Sequence, residues 1–132
     1  MKTINDGLLQ IGEAAQRAGL SLRTVRYYEE MGLLEPAKRT EGGFRLYTGD
    51  HVDRLALIKR MKPLGFTVQQ MRELLDARDI LRATDAPVGA RKTARASLTE
   101  FAALAAAACD DMRAKVARGD ELVEQLHRES QG

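Results

Sequence analysis

Polar side chains that can bind nucleic acid crowd the short stretch "LRTVRYYEE" near the start of the chain. Arginine offers a planar fork to guanine edges and phosphate oxygens, and threonine and tyrosine hydroxyls can donate to phosphates. If the stretch is helical, residues at i, i+1, i+4 and i+5 share one face. The alternative is a solvated arginine beside two packing aromatics, and we expect one tyrosine to be half-buried. The candidate contacts are Arg23, Thr24, Arg26, Tyr27 and Tyr28.

A second basic feature is the stretch "TEGGFRLY", which has the pattern of a tight hairpin. Two adjacent glycines supply the positive φ that such turns require, between predicted strands at residues 37–40 and 44–47. Strand alternation predicts that Phe44 and Leu46 face the core while Arg45 and Tyr47 face outward. The alternative is a surface hairpin with ordinary charges. The candidate contacts from this hairpin are Arg39, Phe44, Arg45 and Tyr47.

Two short predicted helices position the first of these features. Apolar residues mark one face of a helix over residues 9–18, Gly19 suits its C-terminal end, and Ser21 suits the N-cap of the next helix. Gly32 ends that second helix. Two helices joined by a short turn containing glycine form a helix-turn-helix, although any helical hairpin has the same spacing. With the hairpin directly after it, the unit is a predicted winged helix.

Two further helices are predicted after the hairpin. The first begins near Thr48 or Asp50 and is closed by Pro63 and Gly65. Thr67 caps the second, "TVQQMRELLDAR", whose apolar stripe is expected to be buried. That stripe consists of Val68, Met71, Leu74 and Leu75.

The remainder of the chain is predicted to form a linker and one long helix. Pro87 and Gly89 interrupt residues 79–92, and a thin apolar seam runs along a helix of about 35 residues thereafter. A helix cannot bury so narrow an apolar seam on itself, so we expect it to pack against a partner helix, most simply the same helix of a second subunit. The alternative is that the helix folds back on residues 1–78. The predicted seam is Leu98, Phe101, Ala105, Ala108, Met112, Val116, Val123 and Leu126.

Composition excludes several classes of function. The 132 residues carry a net charge of +2, and residues 1–78 hold 13 basic and 10 acidic residues. The single cysteine, Cys109, allows no internal disulfide and no multi-cysteine metal site. His51 and His127 have no metal-ligand spacing, and no catalytic constellation is present. Without an apolar leader or a membrane-spanning run, the chain is expected to be cytoplasmic, with no enzyme activity, metal or cofactor.

Several motifs in order resemble the N-terminal DNA-binding domain of MerR-family transcription regulators. They are "IGEAA", "TVRYYEEMGLL", "GFRLY", "LIKRMKPLGF" and "MRELL", within residues 9–75. The resemblance implies a mainly α fold with a two-stranded wing and a long antiparallel dimerisation helix. The implied divisions are a winged-helix domain at 1–78, a linker at 79–92 and a coiled-coil helix at 93–132.

By that resemblance, a homodimer binds a pseudo-palindromic promoter operator, distorts the DNA and works beside RNA polymerase. Arg26, Tyr27 and Tyr28 would contact backbone and bases, Arg45 and Tyr47 would act from the wing, and Lys62 would reach a phosphate. Arg23 and Thr24 stand at variable positions and are candidates for base readout. Bending would be compensated by phosphate contacts.

The chain also departs from known branches of that family. It lacks the cysteines of the metal sensors and of the iron–sulfur proteins, and 132 residues leave no room for a large ligand domain. The sequence therefore does not identify the effector to which such a regulator would respond. Two other functions stay open as well: an architectural DNA-bending protein resembling excisionases, and a coiled-coil module that has lost DNA binding.

Overall fold

A computed structural model describes residues 8–35 and 38–132, which form three short strands and five α-helices. The described part is mainly helical, in agreement with the predicted fold class. The strands are β1 (Leu9–Gln10), β2 (Lys38–Arg39) and β3 (Arg45–Tyr47). The helices are α1 (Ile11–Ala18), α2 (Leu22–Glu30), α3 (Gly49–Met61), α4 (Val68–Arg82) and α5 (Val88–Gln131).

Local capping explains where the short helices begin and end. Gly19 ends α1 in the left-handed conformation, with φ of 72°. Ser21 accepts a hydrogen bond from the Thr24 backbone N–H at 3.1 Å and so caps α2. Thr48 and Thr67 cap α3 and α4 in the same way. The predicted helix boundaries at these positions are confirmed.

The wing is a β2–β3 hairpin to which β1 adds a third strand. The sheet order is β1-β3-β2, and both pairings are antiparallel. Leu9 pairs with Tyr47, so the prediction that Leu9 begins the first helix is wrong, and α1 begins at Ile11. Both hairpin strands are also shorter than predicted, because Thr40 and Phe44 belong to the turn. Ala37 lies outside the described residues.

The core lies where α1, α2, α3 and α4 meet behind the sheet. Val68 and Leu74 of the predicted α4 stripe are partly buried against this core, while Met71 and Leu75 are fully inside it. Burial of these side chains supplies the hydrophobic stabilisation that holds α2 in place. The largest fully buried residues include Val25, Leu33, Tyr47, Leu55, Ile58 and Leu75.

The segment expected as a linker at 79–92 is mostly helical. Helix α4 continues to Arg82, and α5 begins at Val88 with Pro87 in the N-cap position, so only residues 83–87 connect them. Proline fits beside the first turn, since the N–H that it lacks has no partner there. Arg91 on α5 donates to the carbonyls of Ala83 and Leu81, at 2.9 and 3.1 Å, and so fastens α5 to the end of α4.

The two ends of α5 have different surroundings. Ala94 is buried, and Phe101 packs beside Phe66 with ring centroids 5.9 Å apart, so the first part of α5 does fold back on the preceding helices. From Asp110 onward every residue is exposed. No helix in the described part of the chain combines the length and apolar character needed to cross a bilayer.

Candidate nucleic-acid interface

Three of the residues singled out on α2 form an open surface. Arg23, Arg26 and Tyr27 line a shallow depression together with Leu22 and Glu30. Within residues 8–35 and 38–132, neither arginine forms an ion pair with another side chain. Two guanidinium groups and a phenol hydroxyl are therefore available to a ligand. This is the chemistry that phosphate oxygens and base edges require.

The other α2 candidates are directed away from that surface. Tyr28 is 3% exposed and belongs to the core, which corrects its prediction as a DNA contact, and burial raises the pKa of its hydroxyl. Tyr27 is the exposed member of the pair. Thr24 is half-buried, and its hydroxyl lies 2.9 Å from that of Ser21 in the helix cap. Leu22, at the start of α2, is exposed.

The wing orients its aromatic residues in the opposite way to the predicted alternation. Phe44 is 67% exposed and Tyr47 is fully buried, although Phe44 was expected inside and Tyr47 outside. Phe44 lies in the turn before β3, where strand alternation does not apply. Tyr47 lies at the end of a strand paired on both sides, and its ring joins the helical core. Tyr47 is thus a structural residue of the wing.

Glu29 connects α2 to the wing. The Tyr47 hydroxyl donates a hydrogen bond to one oxygen of the Glu29 carboxylate. Nε of Arg45 lies 2.8 Å from the other oxygen, an ion pair in which the buried N–H is not aligned for a hydrogen bond. Burial and the bond to Glu29 raise the pKa of the Tyr47 hydroxyl, which keeps it a donor. The wing is therefore held to α2 by one acidic side chain that the sequence analysis did not single out.

Basic side chains also lie along the edges of this surface. Arg39 is exposed on β2, and its guanidinium donates to the Gly43 carbonyl across the turn at 3.2 Å. Lys62 is exposed where α3 passes into a short 3-10 turn. Lys59 was not singled out from the sequence. Its amine lies beside Gly19, and a Cβ built on that glycine would stand 2.6 Å from Nζ.

Two arginines brace the C-terminal end of α2 from behind. Nε of Arg54 on α3 donates to the Leu33 carbonyl at 2.7 Å, and its NH1 group pairs with Asp79 on α4. Arg72 on α4 donates to the Met31 carbonyl. These bonds satisfy carbonyls that the end of α2 leaves without helical partners. Their donors lie more than 20 residues away, and no local pattern reveals them.

The described residues contain no cluster of three histidine, cysteine, aspartate or glutamate side chains arranged to hold a metal ion. Cys109 is partly buried on α5.

The residues predicted for DNA contact separate into an exposed group and a buried group. The exposed or half-exposed members are Arg23, Thr24, Arg26, Tyr27, Arg39, Phe44, Arg45 and Lys62, whereas Tyr28 and Tyr47 are buried.

Family comparisons match most of the chain. A model described as MerR HTH family regulatory protein matches residues 9–78, and one described as MerR, DNA binding, matches residues 52–129. The mercuric resistance operon regulatory protein of Bacillus cereus is 47% identical over 70 residues, 53% of each chain. The transcriptional regulator HmrR of Rhizobium leguminosarum bv. viciae is 39% identical over 93 residues, 70% of each chain. The chain spans about half the length of most curated relatives that it matches.

Solved structures share the fold. PbrR691 of Ralstonia metallidurans CH34, solved with lead(II), is 32% identical, has a TM-score of 0.56, and aligns over 89% of this chain and 82% of its own. HiNmlR, a MerR-family regulator that lacks the sensor domain and was solved on promoter DNA, has a TM-score of 0.67 at 23% identity. That alignment covers 89% of this chain and 85% of the other. At 23% identity, the similarity to HiNmlR shows a shared fold and no more.

Proposed function

Because this chain belongs to the MerR family of helix-turn-helix regulatory proteins, we propose that it is a sequence-specific transcription regulator acting as a homodimer on promoter DNA. The observation that carries the proposal is the exposed Arg23–Arg26–Tyr27 surface of α2. Its basic side chains have no acidic partners among the described residues and stand on a helix that the core holds rigidly. This is the arrangement of a recognition helix in a major groove.

In this proposal Arg23 and Arg26 contact base edges or phosphates, and the Tyr27 hydroxyl donates to a phosphate oxygen. Arg39 and Arg45 on the wing, with Lys62 beyond α3, contact the backbone on either side of the helix. We add Lys59, whose amine lies at the turn between α1 and α2. Phosphate contacts orient the protein, while base contacts select the sequence.

Exposed apolar residues on α5 support the homodimer, because the described part of the chain does not cover them and a second copy could. Two recognition helices related by a two-fold axis match an operator with two half-sites. In this proposal the dimer distorts the DNA between the half-sites at the promoter, next to RNA polymerase. The side chains of the wing then supply backbone contacts that offset the cost of deformation.

Gel-shift titration of the promoter region upstream of the protein's own gene, against shuffled DNA of equal length, tests this proposal. The wild-type protein should prefer the promoter, and affinity should fall steeply with salt because phosphate contacts release counterions. Arg26→Ala should weaken binding by about 1–3 kcal/mol, five- to 150-fold. Arg113→Ala, an exposed arginine on α5, is the matched control and should leave affinity unchanged. Equal affinity for promoter and shuffled DNA would refute sequence-specific binding.

A further inference from the structure

Leu22, the first residue of α2, carries an apolar side chain that the core leaves exposed. It is 42% exposed, whereas Val25, three residues later in the same helix, is fully buried. A single exposed leucine is ordinary on a protein surface. What distinguishes Leu22 is its position, because it lines one surface depression with Arg23, Arg26 and Tyr27. Leu22 therefore lies within the surface proposed to contact DNA.

The first turn of α2 holds Leu22 in a fixed position. Ser21 accepts the backbone N–H of Thr24 at 3.1 Å, and the hydroxyls of these two residues lie 2.9 Å apart. Val25 anchors the next turn in the core. Ordering a leucine side chain also costs less entropy than ordering an arginine or a lysine. The side chain of Leu22 is thus presented to a ligand at little conformational cost.

Charge along α2 indicates which end of the helix enters the DNA groove. The first turn has no acidic residue, and Arg23 and Arg26 lie in the N-terminal half. Glu30, exposed at the other end, is the acidic member of the same depression. This order opposes the helix dipole, so it does not serve the stability of the isolated helix. It suits a helix whose N-terminal residues contact base edges, because phosphates attract the basic half and repel Glu30.

The chemistry of the Leu22 side chain fits one base. In the major groove thymine alone presents a methyl group, whereas the edges of the other bases present donors and acceptors. Leucine has neither donor nor acceptor, so it would leave such polar groups unpaired and gains apolar burial at thymine. Arginine instead donates to O6 and N7 of guanine. Neighbouring Cα atoms are about 3.8 Å apart and base pairs about 3.4 Å apart, so Leu22 and Arg23 would reach the same or adjacent base pairs.

We propose that Leu22 selects a thymine in each half-site by contact with its C5 methyl group, next to a guanine contacted by Arg23. The inference rests on the proposed binding of α2 to DNA and adds the base that one residue selects. The arginines supply affinity that falls with salt, because their phosphate contacts release counterions. The discrimination supplied by Leu22 is insensitive to salt, because burial of a methyl group is not an electrostatic interaction.

Deoxyuridine lacks only the C5 methyl group of thymidine and so isolates the proposed contact. The promoter region upstream of the protein's own gene, prepared with thymidine or with deoxyuridine throughout, is titrated by gel shift at low and high salt. The wild-type protein should bind the deoxyuridine DNA about 15-fold more weakly at both salt concentrations, since one buried methyl group contributes about fourfold for each of two half-sites.

Leu22→Ala should remove this discrimination and bind the two DNAs with affinities within about twofold of each other. Alanine is a strong helix former, so the variant should keep the melting temperature of the wild type. The matched control is Val88→Ala, which truncates an 83% exposed aliphatic side chain at the first position of another helix, α5. This control should discriminate between the two DNAs as the wild type does.

The outcomes separate failure of this contact from failure of the proposed function. A wild-type protein that does not prefer the promoter over shuffled thymidine DNA would overturn both. A promoter preference that is unchanged on deoxyuridine DNA would overturn the thymine contact alone. Equal losses for the wild type and Leu22→Ala would also overturn it, because the methyl groups would then act through DNA shape or another residue. A loss that Leu22→Ala abolishes and Val88→Ala retains supports the proposal.

Discussion

The Glu29 carboxylate on α2 lies 2.8 Å from Nε of Arg45 on β3, so an ion pair joins α2 to the wing. The same carboxylate accepts the hydroxyl hydrogen of the buried Tyr47. The Glu29 side chain is only 9% exposed, which makes this junction poorly accessible to water. The angle between helix and wing, and hence the spacing of their basic side chains, depends on this acidic residue.

Glu29→Ala should therefore destabilise the protein. The substitution leaves the buried Tyr47 hydroxyl without its acceptor, and an unsatisfied buried donor costs about 1–3 kcal/mol. Urea unfolding followed by circular dichroism would measure the loss. Glu30→Ala, at the exposed neighbouring position, is the control and should change the free energy of unfolding by less than about 0.5 kcal/mol. Equal stability of the two variants would show that the junction contributes nothing.

Lys59→Ala should weaken DNA binding without changing sequence preference. Its amine lies at the helix-turn-helix turn, where a phosphate contact is proposed, and loss of one such contact should reduce the salt slope of log K by about 1. Arg128→Ala, on the exposed end of α5, serves as control in the same salt titration. An unchanged slope for Lys59→Ala would exclude the contact.

His51 should make stability depend on pH. Its Nδ1 accepts the Thr48 backbone N–H at 2.9 Å, and burial, with a smaller effect of Arg54, lowers its pKa below the ordinary 6.5. The unfolded chain then binds the proton more readily. The contribution of the neutral ring is therefore complete above pH 6.5 and is lost as pH falls through the lower, folded-state pKa.

His51→Gln should remove this dependence and keep the helix cap. Glutamine at the third position of a helix bonds back to the capping threonine, as Gln70 does with Thr67 in α4 at 2.9 Å. Thermal melts between pH 7.5 and 5 should show a shallower decline for His51→Gln than for the wild type. His127→Gln, at the exposed end of α5, should decline like the wild type. Parallel curves for all three proteins would rule out His51 as the source.

Arg91→Met should loosen the junction between α4 and α5. The guanidinium satisfies the carbonyls of Leu81 and Ala83, and hydrogen bonds to charged donors contribute about 1.5–3 kcal/mol each. Hydrogen exchange of amides 83–94 should accelerate in this variant. Lys92→Met, which removes the neighbouring exposed charge, should leave the exchange unchanged. Identical exchange in both variants would mean that apolar packing alone holds the junction.

Reversing charge at one end of α5 should weaken the dimer, and reversing both ends should restore it. Lys92→Glu with Arg95→Glu gives each chain two acidic ends, which repel in an antiparallel pair. Adding Asp120→Lys and Glu124→Lys makes the ends opposite again. Sedimentation at low salt should show weaker association for the first variant and recovery for the second, with the differences reduced at high salt. Failure of the second to recover would argue against antiparallel contacts.

The sequence alone determined the features that depend on neighbours along the chain. Ser21, Thr48 and Thr67 bond to backbone N–H groups three residues away, and Gly19 adopts a conformation that other residues avoid. Each signal lies within one turn of the helix end that it specifies. The helix-turn-helix, the hairpin and the long α5 could be predicted for this reason, as could the exposed basic face of α2.

The tertiary structure decided which side chains of those elements remain exposed. Pairing of Leu9 with Tyr47 made β3 a central strand, drew the tyrosine into the core and left Phe44 in the turn. Glu29, Arg54 and Arg72 gained their roles from partners 16 to 41 residues away. Burial depends on which surfaces meet, and contacts between distant segments leave no periodic signal in the sequence.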